Sequence, residues 1–536
     1  MKELFYITEK INSVVWGTPT LILIIAVGIY YTVSLRFFQF SKLSLWLSNT
    51  LFAIFKEKST RKSGEKNAFS QFQAMATSLA ATVGTGNIAG VGTAISAGGP
   101  GAVFWMWFCS VFSMMTSYAE NSLGIYYRQK DKNGEWLGGP MYYLKSGLSK
   151  KGGTFLAAAF SFFTLFASFG IGNMTQSNSI AASLSSSFGV SKASVGIITF
   201  ALTLFVILGG SSRIGALTEK LVPFMALFYI GASLYIVLFN FSQVGHIFSA
   251  IIKSAFSFEA VAGGISGAAI KKAISVGFRR GVFSNEAGLG STVMVGSSSS
   301  VKEPAVQGMW GIFQVFVDTI VICSMTAFVL LSVSVQTVPL FEAMNNTGKK
   351  TQYVALSKEN DGEKVRLCGS RENRMFCFKN GKILLTDETT FINVIALQKD
   401  ENGAFFEKIE GASLVSLAFY SVFGKWADII LSLSVTMFAF STIIGWSFYG
   451  EKSVGYLFKG KGKAFYRILF SALTFFGAIT KLDVVWNISD IFNGLMAVPN
   501  LIGLIFLSKD VFGITENYIR RKKGEPLSPL LNIHDI

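Results

Sequence analysis

Apolar residues run in long blocks separated by short polar or basic stretches, and two of the blocks are interrupted at their centres. Read as helices, the blocks are Val14–Leu35, Phe72–Ala97, Ala102–Tyr127, Phe155–Leu184, Ala193–Gly210, Leu217–Phe239, Ala273–Val295, Val306–Val335, Leu414–Gly450, Phe465–Ile479 and Val484–Leu507. Most reach the roughly 20 apolar residues that cross a bilayer. The pattern predicts an all-α polytopic membrane protein of about 11 transmembrane helices. The block at 414–450 exceeds one crossing, so part of it should tilt or leave the membrane. Between the sixth and seventh blocks, His246 to Ala262 is weakly apolar and carries Lys253 and Glu259, which suits a helix lying at the interface.

The two interruptions are of one kind. In the second block, Thr82-Val83-Gly84-Thr85-Gly86-Asn87 sets two glycines and three polar side chains at mid-depth. In the seventh, Phe283-Ser284-Asn285-Glu286-Ala287-Gly288-Leu289-Gly290 does the same. Each glycine costs about 1 kcal/mol of helix propensity. Freed backbone groups survive in hydrocarbon only where protein or a watery cavity satisfies them. A sequence of five blocks begins with each interruption, and because five is odd the two sets enter from opposite sides. Interrupted helices at matching positions of two inverted halves mark a transporter's binding site; a lone glycine-rich helix would read as close helix packing.

The chemistry follows from the breaks. Amides of Thr85, Gly86 and Asn87 at the start of a half-helix suit a carboxylate. Carbonyls of Ala80, Thr82 and Val83 suit Na⁺ or an ammonium. Ser441 and Thr442 in the ninth block either complete an oxygen shell or bond their own helix carbonyls. At the second break the Phe283 and Ser284 carbonyls, with Asn285 nearby, can take an ammonium. Glu286 is either a structural acceptor or part of a coupling path. Asn173 and Gln176 share a helix face and either close the pocket or join helices. Gln314 and Asp318 read as structural polar contacts.

Composition agrees with the membrane reading: the chain is 51% hydrophobic and only 15% charged over 536 residues, with mean hydropathy +0.48, against about 25% charged in a soluble domain. The net charge of +16 does not point to nucleic acid, because Lys and Arg gather between apolar blocks. Placing the N-terminus outside and the C-terminus in the cytoplasm puts 25 of them on the inner side, as positive-inside topology demands. Arg279 and Arg280 break this pattern and must face water or a partner. Two His and four Cys form no metal cluster, and no nucleophile–base pair is present, so an enzyme is not expected. Nor does the first block carry the cleavage site of a secretory signal.

These readings divide the chain into a first helix and basic loop (1–70), a five-helix set (71–240), an interfacial connection (241–272), a second set (273–510) and a tail (511–536). The polar block 341–410, with eleven basic and eleven acidic residues, reads as a small extracytoplasmic insertion. Its Asn380-Gly381 between short apolar runs signals a hairpin. Cys368 and Cys377 there either pair or stay free.

Thr82–Val91, Arg280–Gly288, Asp318–Cys323 and Phe440–Trp446 resemble the alanine/glycine:cation symporter family, the sodium:alanine symporters. The resemblance runs from about Trp16 to Leu507. It implies the leucine-transporter (LeuT) fold, a 5+5 inverted repeat plus one N-terminal helix. It also implies Na⁺-driven import of small neutral amino acids, alanine and glycine, across the cell membrane by alternating access. Matching residue by residue, it implies substrate carboxylate at the Thr85 and Gly86 amides and Na⁺ at the Ala80 and Val83 carbonyls with Ser441 and Thr442. Asn87 falls at a second cation site, and the insertion 341–410 departs from the family pattern. The rival expectation is an amino-acid-binding membrane sensor that does not transport; the absence of a recognisable signalling domain counts against it.

Overall fold

At 83–84 and at 286–292 an apolar run stops being helical, and the molecule is built around these two places. The computed structural model describes residues 2–65, 68–132, 134–256, 265–337, 364–366, 375–379, 382–385, 411–480 and 483–533. The first block is α1 (Lys2–Val15) and α2 (Thr18–Ser34), with Gly17-Thr18-Pro19 at the joint. Four short helices follow: α3 (Phe38–Ser41), α4 (Leu43–Asn49), α5 (Leu51–Lys56) and α6 (Lys58–Arg61). The first interrupted block is α7 (Gln71–Thr82), a 3₁₀ turn at Thr85–Asn87, and α8 (Ala89–Gly98). Ser70 and Gln73 start α7 with a reciprocal capping box, each 3.1 Å from the other's backbone N.

Then come α9 (Gly101–Tyr126), a hairpin of β1 (Gln129–Lys130) and β2 (Trp136–Leu137), and α10 (Pro140–Gly147). Next is α11 (Lys150–Phe169), which runs through a π turn, Gly170–Met174, into α12 (Thr175–Phe188). The glycines of that turn permit close approach: a Cβ at Gly172 would lie 2.3 Å from Trp446 Cβ. The first set ends with α13 (Lys192–Leu208) and α14 (Gly210–Phe239).

The expected interfacial segment is α15 (Val244–Phe256), buried through Ile247, Ile251 and Ala255 and exposed at Phe248 and Ile252. The second interrupted block is α16 (Ile265–Asn285), an irregular stretch, and the single turn α17 (Val293–Gly296). The stretch between them has positive φ at Glu286 (57°), Gly288 (90°) and Gly290 (78°). After it, α18 (Pro304–Val315) passes through a π turn, Phe316–Cys323, into α19 (Ser324–Thr337).

In the polar block, β3 (Lys364–Arg366), β4 (Met375–Lys379) and β5 (Lys382–Leu385) form an antiparallel sheet. Lys379 faces Lys382 across the expected Asn380-Gly381 turn. The pairing of Cys368 with Cys377 lies outside the described residues. The overlong block divides at Gly424 (φ +54°) into α20 (Ala412–Phe423) and α21 (Trp426–Leu457). The chain closes with α22 (Lys463–Ile479), α23 (Asp483–Phe506) and α24 (Ser508–Lys522).

Among the described residues, seven continuous helical stretches are long and apolar enough to cross a membrane. The two interrupted pairs and the shorter α13 and α22 occupy the other expected positions. The side bearing α24 is knit together at the ends of both interrupted blocks. Phe69, just before α7, exchanges backbone bonds with Ser298 (3.0 Å) and Ser300 (2.7 Å), just after α17. Buried Arg128 donates to the Ser297, Ser299 and Val301 carbonyls (3.1, 2.6 and 2.6 Å) and stacks on Trp136. Burial lowers its pKa to about 10, so it stays charged at neutral pH.

Candidate functional site

At the first break the backbone bonds are diverted rather than merely lost. The Gly84 N–H, which would close on the Ala80 carbonyl, donates instead to Asn87 Oδ1 at 3.0 Å. The Asn87 N–H, which would close on Val83, turns back to the Gly84 carbonyl at 3.2 Å. The Ala80 and Val83 carbonyls are thereby released from the helix. So are the N–H groups of Thr85 and Gly86, which take no hydrogen bond among the described residues. Asn87 departs from the sequence expectation here: its amide closes the turn and is not one of the free donors. Thr82 Oγ1 is buried with no partner among the described residues.

Helix α21 supplies the facing side. Thr442 Oγ1 lies 3.5 Å from the Val83 carbonyl and 3.0 Å from that of Phe438. Ser441 donates to the Phe438 carbonyl at 2.8 Å, the own-helix bond allowed for in the sequence, and its oxygen keeps its lone pairs. Gln176 Oε1 accepts from Thr85 Oγ1 at 3.1 Å, which brings α12 onto the break. Asn173 does not join it. The π turn rotates Asn173 toward α22, where Nδ2 donates to the Phe470 carbonyl at 2.6 Å. The expectation that Asn173 and Gln176 share a face is corrected: an inserted π turn changes the angular spacing of residues three apart.

At the second break the same device recurs. The Ala287 N–H goes to Asn285 Oδ1 at 3.1 Å and the Gly288 N–H to Glu120 Oε1 at 3.0 Å. The carbonyls of Phe283 and Ser284, which those amides would otherwise close on, are released. The Phe283 ring lies against Gly86, 3.7 Å from where a Cβ would stand. Asn285 Nδ2 also donates to Thr319 Oγ1 at 3.2 Å. Glu286 serves as an acceptor, from Trp446 Nε1 at 3.1 Å and from Ser291 Oγ, which is the structural alternative.

Asp318 joins the two breaks. Its Oδ1 accepts from Asn87 Nδ2 at 2.8 Å; its Oδ2 accepts from Ser284 Oγ at 2.6 Å and Thr319 Oγ1 at 2.9 Å. Asn87 Nδ2 also reaches Ser284 Oγ at 3.0 Å, and Thr326 Oγ1 donates to the Asn87 carbonyl at 2.8 Å. Asp318 is fully buried and, among the described residues, pairs with no Lys or Arg. Of the two residues read as structural polar contacts, Gln314 makes one, accepting from Ser78 Oγ at 2.7 Å, while Asp318 makes its contacts at the breaks themselves. Its signal was present, an acid inside an apolar block, which marks a functional position by default. Arg279 resolves its own anomaly by meeting Asp490 on α23 at 3.4 Å.

Glu120 on α9, unassigned from sequence, takes the Gly288 N–H and Asn500 Nδ2 (2.5 Å) on one oxygen. Asn500 Nδ2 reaches the Gly288 carbonyl at 2.9 Å, and its Oδ1 accepts from Tyr143. The second break is thus held from α9, α10 and α23 at once.

A family model described as the Sodium:alanine symporter family matches residues 1–362 and 381–531, breaking inside the polar block. A sodium/alanine symporter, AgcS, from Methanococcus maripaludis is 39% identical over 520 residues, covering 97% of this chain and 98% of that protein. A probable sodium/glutamine symporter, GlnT, from Bacillus subtilis is 33% identical over 515 residues, covering 96% and 90%. Among solved structures, a manganese transporter from Eremococcus coleocola aligns with a TM-score of 0.44 and 13% identity, covering 83% of this chain and 79% of its own.

Proposed function

We propose that this chain, which belongs to the sodium:alanine symporter family, imports small neutral amino acids, alanine and glycine, by Na⁺-coupled alternating access. Membership makes it a multi-pass membrane amino-acid symporter with sodium coupling, and not an enzyme. The finer reading rests on one observation: at the first break, released carbonyls and released amides lie two to six residues apart and face opposite needs.

In this reading Na⁺ binds between the Ala80 and Val83 carbonyls and the Thr442 and Ser441 hydroxyls. The substrate carboxylate sits on the Thr85 and Gly86 amides, with Thr82 and Gln176 beside it. Its ammonium meets the Phe283 and Ser284 carbonyls, with Asn285 holding that turn. The Phe283 ring against Gly86 limits the side chain to a small one. An excluded methylene is worth only about 1–3 kcal/mol, so serine competes with alanine. Asn87 belongs to a second cation site together with Asp318, a buried carboxylate that pairs with no Lys or Arg among the described residues and so calls for a counter-charge.

The 5+5 layout follows from the same reading: residues 71–240 and 273–510 are inverted repeats, preceded by one helix, and each begins with its own break. Excess Lys and Arg on the α24 side support a reading in which that side and the C-terminus are cytoplasmic and the N-terminus is outside. The test is uptake of labelled alanine, glycine, serine and glutamine into proteoliposomes with and without an inward Na⁺ gradient. Accumulation of alanine above equilibrium only under the gradient is expected. Equilibration alone would refute coupled transport.

A further inference from the structure

The stretch between α2 and α7 has no part in the site just described, yet it is built as a two-faced surface. One face is fixed to the protein. Phe38, Gln39, Trp46, Thr50, Ala53 and Thr60 are buried. Trp46 Nε1 donates to the Gln39 carbonyl at 3.0 Å, and its ring meets Phe316 at 6.0 Å. Asn49 accepts from Tyr518 of α24 at 3.3 Å. The other face is apolar and bare: Phe40, Phe52 and Phe55 are 57%, 47% and 74% exposed. Beside it stand Arg36, Lys56, Lys58, Arg61 and Lys62, all exposed, with Glu57 the one acid between Arg36 and Lys62.

Bare aromatic rings alone would suit acyl chains anywhere along the belt of the protein. Rings flanked by a same-sign charge cluster suit the boundary between acyl chains and headgroups, and there only an anionic headgroup complements them. A second copy of the chain is disfavoured, because the two clusters would repel across the interface. Arg61, 5.8 Å over the Phe55 ring, shows the two features meeting at one place.

We propose that Arg36–Lys62 is a binding surface for anionic phospholipid headgroups in the leaflet on the α24 side. Because α6 packs against α7, a lipid held there also fixes the base of the first interrupted helix to the membrane. The surface stands whatever the chain transports, so its test reads lipid binding and not uptake.

The full chain, purified in a neutral detergent, is mixed with phosphatidylglycerol or phosphatidylcholine of matched acyl chains, and retained lipid is counted by native mass spectrometry. Retention of phosphatidylglycerol is expected to exceed that of phosphatidylcholine by about fivefold or more. The preference should collapse in K56Q/K58Q/R61Q/K62Q and persist in K522Q/K523Q, which neutralises exposed lysines at the end of α24, where no large apolar side chain is exposed among the described residues. A quadruple variant that keeps the preference, or a control that loses it equally, overturns the proposal. A second arm needs no variant: raising salt from about 0.05 M to about 0.5 M should erode the wild-type preference by shortening the Debye length several-fold. A preference indifferent to salt also overturns it.

Discussion

Thr442 Oγ1 lies 3.5 Å from the carbonyl oxygen of Val83, a residue 359 positions earlier, at the point where α7 stops. That carbonyl has lost its helical partner to the turn at Gly84, so the pair offers two oxygens to a cation across two helices. Replacing Thr442 by Ala removes one ligand, and hydrogen bonds or contacts to charged groups are worth about 1.5–3 kcal/mol. The Na⁺ concentration for half-maximal alanine uptake should therefore rise at least about tenfold, while Thr442→Ser stays near wild type. Uptake titrated against Na⁺ measures both. An unchanged Na⁺ requirement in Thr442→Ala would move the sodium site elsewhere.

Gly84 is required by space and not by backbone conformation, since its φ of −125° is open to any residue. A Cβ there would stand 2.6 Å from Thr442 Oγ1 and 3.5 Å from Gln176 Oε1. Gly84→Ala is expected to cut Na⁺-driven uptake by about tenfold or more while the protein still reaches the membrane. Gly231→Ala, where a Cβ meets nothing within 4 Å, is the matched control and should transport normally.

Both breaks were legible in the sequence because two such clusters stand at matching positions of the two halves, whereas either alone would have read as close helix packing. Their partners were less so. Asn173 and Gln176 looked like neighbours on a 3.6-residue helix, and only the π turn at Gly170–Met174 separates them; a π turn leaves no periodicity to read. Asp318 was visible as a membrane acid, but its address depends on contacts with Asn87 and Ser284 that lie 231 and 34 residues away. Glu120 and Asn500 are 380 residues apart and meet only through tertiary packing. The overlong block at 414–450 gave its length away, yet its division at Gly424 required a positive φ that composition does not reveal.

The division between Asn173 and Gln176 is itself testable. Gln176→Ala removes the acceptor of Thr85 Oγ1 at the break and should raise the KM for alanine several-fold with thermal stability little changed. Asn173→Ala frees the Phe470 carbonyl inside the packed contact between the π turn and α22. Loss of a buried hydrogen bond costs about 1–3 kcal/mol, so it should lower the unfolding temperature and leave the KM alone. Uptake kinetics and a thermal melt on both variants decide the assignment, and a KM effect confined to Asn173→Ala would reverse it.

Asp318 holds Asn87 with one oxygen and Ser284 and Thr319 with the other, so it binds the two breaks to each other. Asp318→Asn keeps the shape but must turn an NH₂ toward one of these partners. The hydroxyls can rotate to accept it, whereas Asn87 Nδ2 cannot. Asp318→Asn should therefore retain a folded protein with reduced uptake, and Asp318→Ala should lose uptake altogether. Folding is followed by size-exclusion profile and melt, transport by alanine uptake. Full uptake in Asp318→Ala would show that the two breaks work without this link.

Glu120 separates a structural acceptor from a charge-carrying one. Its Oε1 takes the Gly288 N–H and Asn500 Nδ2; Asn500 Nδ2 also reaches the Gly288 carbonyl, so the Gly288 N–H is the donor that depends on Glu120. Glutamine offers the same carbonyl oxygen in nearly the same volume. If the role is to hold the second break open, Glu120→Gln should transport and melt like wild type. Glu120→Ala strands the buried Gly288 N–H at about 1–3 kcal/mol, leaves Asn500 Nδ2 with the Gly288 carbonyl alone, and should lose stability and uptake together. A Glu120→Gln protein that melts normally but no longer couples uptake to Na⁺ would mean that the carboxylate's charge, and not its hydrogen bonds, is what the second break depends on.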